Sequence, residues 1–172
     1  MSSLNFPKSA FADILESNLG YTSSFESKAL TGTAKKGLAI VTCIDSRINP
    51  LAVVGMQAGD AKIIRNAGSR VTEDVLRTLL LATYLLGVER ILVMPHTDCR
   101  MAKSDEQAIH DEIFATHAVD TRSVEFRVVS DQLAALKLDV QRTRSYPLLP
   151  KTIVVGGAIY DVHTGKLNPV EA

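Results

Sequence analysis

The sequence has 172 residues, of which 46% are hydrophobic and 22% are charged, a composition typical of one globular domain with a sizeable core. Its 19 basic and 19 acidic residues balance, which argues against nucleic acid or an anionic membrane as a partner and favours a small, neutral or singly charged substrate. The N-terminal residues lack the pattern of a signal peptide, and no apolar run is long enough to span a bilayer. We therefore expect a cytoplasmic protein.

The first 36 residues predict a helix followed by a polar arm. Ser9 is a candidate N-cap for a helix that carries Phe11, Ile14 and Leu15 on one face and ends near Gly20. The residues from 21 to 36 are rich in Ser, Thr and Gly, as connecting segments often are. We accordingly divide the chain into an N-terminal helical arm, 1–36, and an α/β domain, 37–172.

Strands alternate with helices throughout the predicted domain. Short apolar runs predict four buried strands, at 38–42, 61–65, 90–94 and 152–156. An edge strand and a turn are predicted after residue 158. Spacing and capping signals predict helices after Pro50, from Thr72 to Gly87, at about 105–117, and from Ser130 to before Pro147. This order predicts a single α/β domain whose mostly parallel central β-sheet is flanked by helices.

Both cysteines and one histidine directly follow predicted strands. Cys43 ends the first strand, and His96 and Cys99 follow the third. Because ligands of parallel sheets bind at the carboxyl ends of the strands, we expect these side chains to meet. Two thiolates and one imidazole suit zinc, and three protein ligands leave a coordination position open, as in catalytic zinc sites. The alternatives are a core cysteine beside an unrelated His-x-x-Cys, or a disulfide, which a reducing compartment disfavours.

Asp45 and Arg47 lie two residues apart just beyond Cys43. One interpretation is a surface ion pair of little energetic value. The other is catalytic: Arg47 holds Asp45 away from the metal and orients its carboxylate to accept a hydrogen bond from zinc-bound hydroxide. Without Arg47, Asp45 could itself complete the coordination of the metal.

Three segments of the chain, taken together, resemble the signature of the β-class carbonic anhydrases, in particular the small bacterial members. They are Cys43-Ile44-Asp45-Ser46-Arg47, Arg65-Asn66-Ala67-Gly68 and His96-Thr97-Asp98-Cys99, and the resemblance covers most of the chain from residue 36 onward. It implies Zn²⁺ on Cys43, His96 and Cys99, and an Asp45–Arg47 dyad. The implied reaction is the reversible hydration of carbon dioxide to bicarbonate and a proton by zinc-bound hydroxide. It also implies a homodimer, or a tetramer built from dimers, in which the N-terminal helix embraces the partner.

The segment ending in Gly68 resembles the family loop that lines the substrate pocket, where a glycine permits close approach of the backbone. Arg100 departs from the family pattern, which usually has glycine directly after the second cysteine. An arginine there either faces solvent or points into the pocket, where it could hold an anion or select another substrate. Hydrolysis of carbonyl sulfide or carbon disulfide on the same metal site is therefore an alternative activity. A further alternative is a non-catalytic, zinc-held interaction domain in which Asp45 closes the site.

Overall fold

The computed structural model describes residues 6–26, 30–103 and 105–172. The chain forms two compact units that meet in sequence between Thr31 and Gly32. Ala34, which the sequence places in the polar arm, is buried in the core of the second unit. That residues 1–36 act as an arm and residues 37–172 as the catalytic domain stays a prediction.

The first unit contains a 3₁₀ turn, Lys8–Phe11, followed by helix α1, Ala12–Ser24. The expected N-cap at Ser9 is wrong, because Ser9 lies inside the 3₁₀ turn and no side chain caps α1. The helix also continues past Gly20, since the hydroxyl groups of its last residues donate to carbonyl groups three positions earlier and so satisfy its final turn. The apolar side chains predicted to share a face are exposed.

The second unit is built on a five-stranded sheet in the order β2-β1-β3-β4-β5. Its strands are β1 Leu38–Cys43, β2 Ala61–Asn66, β3 Arg90–Met94, β4 Val154–Tyr160 and β5 Leu167–Val170. The first four strands are parallel, and β5 pairs antiparallel to β4. The predicted α/β class with a mostly parallel sheet is confirmed.

Strand β4 differs from its prediction, which ended the strand at Gly156. The strand runs on to Tyr160 and pairs with β5 from Gly157 to Tyr160, so the residues after 158 continue β4 and β5 forms this edge of the sheet. A Cβ atom added at Gly157 would lie 3.0 Å from side-chain carbons of both Leu136 and Val140. Gly157 is therefore required by the close packing of helix residues Leu136 and Val140 on the sheet, and the strand continues through it.

Four helices complete the second unit: α2 Pro50–Val53, α3 Glu73–Leu85, α4 Glu106–His117 and α5 Gln132–Ser145. The residue before each helix caps it with a side chain that accepts a hydrogen bond from the backbone N–H three positions on, namely Asn49, Thr72, Asp105 and Asp131. The predicted start of a helix at Thr72 is thus confirmed, with Thr72 as its N-cap. Among the described residues no helix has both the length and the apolar character needed to cross a membrane.

The sheet is covered on both faces, as a parallel sheet requires. One cluster of buried side chains joins alternate residues of β1 and β3 to α3 and α5. The second cluster lies on the opposite face and includes Ile40, Ile48 and Met94 together with both cysteines. On α5, Leu136 and Val140 face the core, whereas Leu133 is 47% exposed.

Two leucines on α5 provide a test of this packing. Leu136 is 2% exposed and Leu138 is 62% exposed. Leu136→Ala is expected to lower the free energy of unfolding by about 2–5 kcal/mol, because it removes buried methyl groups and leaves a cavity. Leu138→Ala, the matched control, should change it by less than about 0.5 kcal/mol. Urea denaturation at one protein concentration measures both, and equal effects would contradict the described packing.

Candidate active site

The site lies where β1 and β3 end side by side. The two strands are neighbours in parallel register, with Thr42 opposite Met94. The Thr42 hydroxyl also donates to the Met94 carbonyl oxygen at 2.8 Å, which ties the two ends together. The chain beyond Met94 stays close to the sheet, since His96 forms a parallel bridge with Tyr160 of β4. Cys43 and the turn from His96 to Cys99 consequently leave the sheet at the same edge.

The structure brings Cys43, His96 and Cys99 together. Their ligand atoms lie within 4.8 Å of one another, and all three residues are buried. The two sulfur atoms are 4.0 Å apart, about twice the length of a disulfide bond, so both cysteines are free thiols. These three are the residues that the sequence singled out as metal ligands.

The orientation of the His96 ring is one that a metal ligand would need. Its Nδ1 lies 2.8 Å from the Thr97 carbonyl oxygen. A carbonyl can only accept, so Nδ1 carries a proton, and in the neutral ring Nε2 then presents a lone pair. Nε2 is buried and, among the described residues, is the one such side-chain nitrogen or oxygen atom without a hydrogen-bond partner. Leaving a buried polar atom unpaired costs about 1–3 kcal/mol, which a metal ion bonded to Nε2 would remove.

The electrostatics of the two thiols also favour a cation. The hydrogen bond from Cys99 holds the pKa of Cys43 well below its usual range, and contacts with the His96 ring and with the backbone of Gly68 and Asp45 act in the same direction. The same sulfur contact raises the pKa of Cys99, because one proton between two sulfurs leaves a single thiolate. A divalent cation at this position would stabilise both thiolates.

Asp45 stands beside the cluster and is held by Arg47. The Arg47 guanidinium donates to both carboxylate oxygens, from Nε to Oδ1 at 2.9 Å and from Nη2 to Oδ2 at 2.7 Å, and the Arg47 backbone N–H also donates to Oδ1 at 2.9 Å. These hydrogen bonds hold the pKa of Asp45 well below its usual range. Oδ2 lies 3.7 Å from Nε2 of His96. The carboxylate is therefore ionised, engaged by Arg47 and adjacent to the face of the cluster that a metal would occupy.

The loop around Asp45 is fixed by Arg65. Its guanidinium donates to the carbonyl oxygens of Cys43 at 2.8 Å, Asp45 at 2.5 Å and Ile48 at 3.3 Å. Gly68 lies in the neighbouring 3₁₀ turn with φ +77°, a conformation that side chains other than glycine rarely adopt. The turn brings the Gly68 backbone to the Cys43 sulfur.

Arg100 adopts the solvent-facing arrangement of the two considered from the sequence. Its side chain is 63% exposed and forms an ion pair with Glu112 of α4. The structure thus brings Gly68 to the cluster and directs the Arg100 side chain to the protein surface. A pocket-lining function for either residue stays a prediction.

Two residues of the site were missed by the sequence interpretation. Asp98 lies between two of the candidate ligands and accepts a hydrogen bond from Arg47 Nη1 at 2.8 Å. Gln132, the first residue of α5, donates to the His96 carbonyl oxygen at 2.7 Å. A charged residue between two candidate ligands was a signal available for Asp98, but no local pattern connects Gln132 with His96, which is 36 residues away.

Comparisons with known proteins agree with this geometry. The sequence model of the carbonic anhydrases matches residues 38–167. Beta-carbonic anhydrase 1 of Mycobacterium tuberculosis is 36% identical over 162 residues, which cover 92% of this chain and 96% of that protein. A crystal structure of carbonic anhydrase from Streptococcus mutans has a TM-score of 0.88 at 33% identity, covering 98% of this chain and all of that one. A carbon disulfide hydrolase from Acidianus sp. is 30% identical over 156 residues, covering 76% of each protein.

The fold and the cluster are those of an α/β enzyme with a candidate metal-binding site at the carboxyl ends of its parallel strands. The chain belongs to the carbonic anhydrase family, in its β class. Members of this family are metalloenzymes and lyases that interconvert carbon dioxide and bicarbonate. The resemblance seen in the three sequence segments is thereby confirmed.

The cluster predicts how the purified protein will bind a metal. We expect about one divalent ion per chain, because the described residues supply one such set of three ligands. Cys99→Ser should lower the metal content at least tenfold, since a hydroxyl group is a poor replacement for a soft thiolate. His163→Asn changes an exposed histidine and should leave the content unchanged. Elemental analysis after gel filtration measures all three proteins, and a full complement of metal in Cys99→Ser would contradict the assignment.

Proposed function

We propose that this chain hydrates carbon dioxide reversibly to bicarbonate and a proton, with Zn²⁺ bound by Cys43, His96 and Cys99. The observation that carries the proposal is Nε2 of His96, which has no hydrogen-bond partner among the described residues and lies beside two free thiols and 3.7 Å from a carboxylate oxygen of Asp45. Membership of the carbonic anhydrase family supports the reaction.

The donor set supports zinc in particular. Sulfur and imidazole nitrogen are soft or intermediate ligands that suit Zn²⁺ and are poor for Mg²⁺ or Ca²⁺, which prefer oxygen. Zinc, when bound, would supply a nucleophile at neutral pH, because the water on zinc in carbonic anhydrases is known to have a pKa of about 7.

Asp45 orients the attacking oxygen in this proposal. An ionised carboxylate can only accept hydrogen bonds, so it can hold a water or hydroxide by its proton and direct the oxygen lone pair towards carbon dioxide. Arg47 makes this function possible in two ways. It keeps Asp45 ionised, and by donating to both carboxylate oxygens it competes with a metal ion for the carboxylate.

Two alternative functions are tested by the same assays. Carbonyl sulfide and carbon disulfide are linear molecules like carbon dioxide, and one relative of this chain is a carbon disulfide hydrolase. The exposed position of Arg100, paired with Glu112, favours carbon dioxide over a substrate selected by that side chain. A non-catalytic zinc domain closed by Asp45 is disfavoured by the bidentate hold of Arg47 on the carboxylate.

We also infer that the chain forms a homodimer in the cytoplasm. Helix α1 has no buried residue, and its apolar side chains Ile14, Leu15 and Leu19 are 57%, 45% and 70% exposed, which a partner subunit would cover. Strand β2 lies at the edge of the sheet.

Two free thiols placed to bind a metal favour a reducing compartment. Assembly into a tetramer is a further possibility that sedimentation velocity would distinguish.

Replacement of Asp45 tests the catalytic proposal. Asp45→Asn should lower kcat/KM for carbon dioxide hydration by about 10²-fold or more, because the amide loses the negative charge and presents a donor to the attacking water. Metal content should stay unchanged. Asp120→Asn is a matched control, since Asp120 forms the same kind of pair with Arg122 elsewhere on the surface. Stopped-flow hydration assays measure these variants, and wild-type kcat/KM in Asp45→Asn would refute the assigned function.

Replacement of Arg100 tests the choice of substrate. Because the side chain is exposed and its ion pair lies outside the cluster, Arg100→Gly should change kcat/KM for carbon dioxide by no more than about twofold. Wild type and variant should both release little hydrogen sulfide from carbonyl sulfide or carbon disulfide. Parallel assays with the three substrates measure the ratio of their kcat/KM values in wild type and variant. A tenfold change in this ratio would show that Arg100 acts on the pocket.

A further inference from the structure

The sequence contains Asp-x-Arg three times, and two of these, Asp45–Arg47 and Asp120–Arg122, form ion pairs of nearly the same geometry. In Asp45–Arg47 and in Asp120–Arg122 the arginine backbone N–H and Nε both donate to Oδ1, and Nη2 donates to Oδ2. The corresponding distances agree within 0.1 Å, from 2.9, 2.9 and 2.7 Å in the first pair to 3.0, 2.9 and 2.6 Å in the second. The pair is therefore a local structure that Asp and Arg two positions apart can form, although in Asp98-Cys99-Arg100 the arginine pairs with Glu112 instead.

The two copies differ in what else the arginine binds. Arg47 Nη1 donates to Oδ2 of Asp98 at 2.8 Å, and Nη2 donates to the Asp98 carbonyl oxygen at 3.2 Å. Among the described residues, Arg122 has an ion pair with Asp120 alone. Its side chain is 73% exposed, against 42% for Arg47. An exposed ion pair with one partner is weak, because ordering two flexible side chains costs conformational entropy. A third charged group that holds the arginine in place lowers this entropic cost.

Asp98 has a backbone conformation suited to this contact. Its φ is +58°, a left-handed conformation that is uncommon for residues other than glycine but tolerated by Asp and Asn. In this conformation both its carbonyl and its carboxylate reach Arg47. The other carboxylate oxygen, Oδ1, pairs with Lys103. Asp98 thus lies between two cations and is held from both sides.

We propose that Asp98 is the positioning residue of the site: it anchors the Arg47 guanidinium and, through it, sets the direction of the Asp45 carboxylate. Its place in the His96–Cys99 turn connects that direction to the candidate metal ligands, which the Asp45–Arg47 pair alone does not do. The catalytic part of this inference rests on the function proposed for Asp45. The anchoring of Arg47 does not, and can be measured separately.

A purely structural function for Asp98 makes a different prediction. If Asp98 served only to form the turn, Asp98→Gly would be neutral or favourable, because glycine adopts positive φ without strain. If Asp98 positions Arg47, the same variant keeps the turn and loses the anchor. Asp98→Asn keeps both the turn preference and one acceptor oxygen but removes the charge, so its effect should be intermediate.

The test is hydrogen exchange of arginine Nε–H groups by ¹⁵N NMR on the full-length, zinc-loaded protein. Arg122 is the reference within the same spectrum, and Arg47→Lys and Arg122→Lys assign the two signals. In the wild type, Arg47 Nε–H should exchange about tenfold more slowly than Arg122 Nε–H, as expected for a group held by additional charge-assisted hydrogen bonds. Asp98→Gly should raise the Arg47 rate to that of Arg122 and leave the Arg122 rate unchanged.

Activity is measured on the same samples. Asp98→Gly should lower kcat/KM for carbon dioxide by about tenfold with unchanged metal content and melting temperature, Asp98→Asn by less, and Asp120→Asn not at all. Equal exchange of Arg47 and Arg122 in the wild type, or faster Arg47 exchange in Asp98→Gly with unchanged kcat/KM, would overturn the inference. If Asp98→Gly does not fold, Asp98→Asn decides by the same two measurements. A wild-type protein without carbon dioxide turnover would refute the proposed function, while the exchange rates would still show whether Asp98 holds Arg47.

Discussion

The parallel pairing of β1 with β3 is the constraint on which the rest of the site depends. It places two strand ends side by side and so brings a cysteine at residue 43 into contact with residues 96–99, more than fifty positions further along the chain. The Thr42 hydroxyl reinforces the pairing from inside the core, where a hydrogen bond is shielded from water. A change of register by one residue would turn Cys43 to the other face of the sheet and separate the sulfurs.

A second level of organisation acts on the residues next to the cluster. Arg65 fixes the loop that carries Asp45 by binding three of its carbonyl groups, and Gln132 binds the carbonyl of His96. These contacts come from β2 and α5, which supply no candidate metal ligand. Hydrogen bonds of this kind restrict the orientation of a site without entering its chemistry, which explains why such residues carry no motif of their own.

The central strands were predictable because they are buried on both faces. Residues 38–43 and 90–94 must therefore be nearly continuous apolar runs, and this pattern survives in the sequence without any tertiary information. The N-terminal helix was harder to delimit, since α1 buries no face and only weak local preferences set its ends. Gly156 was interpreted as the end of a strand, whereas Gly157 meets α5 so closely that a side chain would not fit. This packing requirement comes from a helix distant in the sequence, so the residues around Gly157 carry no signal of it.

By itself the sequence determined the types of the three candidate ligands, their position after buried strands and the pairing of Asp45 with Arg47. Each of these follows from composition, periodicity or a contact between residues two positions apart. Only the tertiary structure decided that Asp98 accepts a hydrogen bond from Arg47, 51 residues away in the sequence, and that Arg100 turns to Glu112. The physical reason is that these contacts depend on strand register and on a single left-handed residue, and neither is encoded in the neighbouring amino acids.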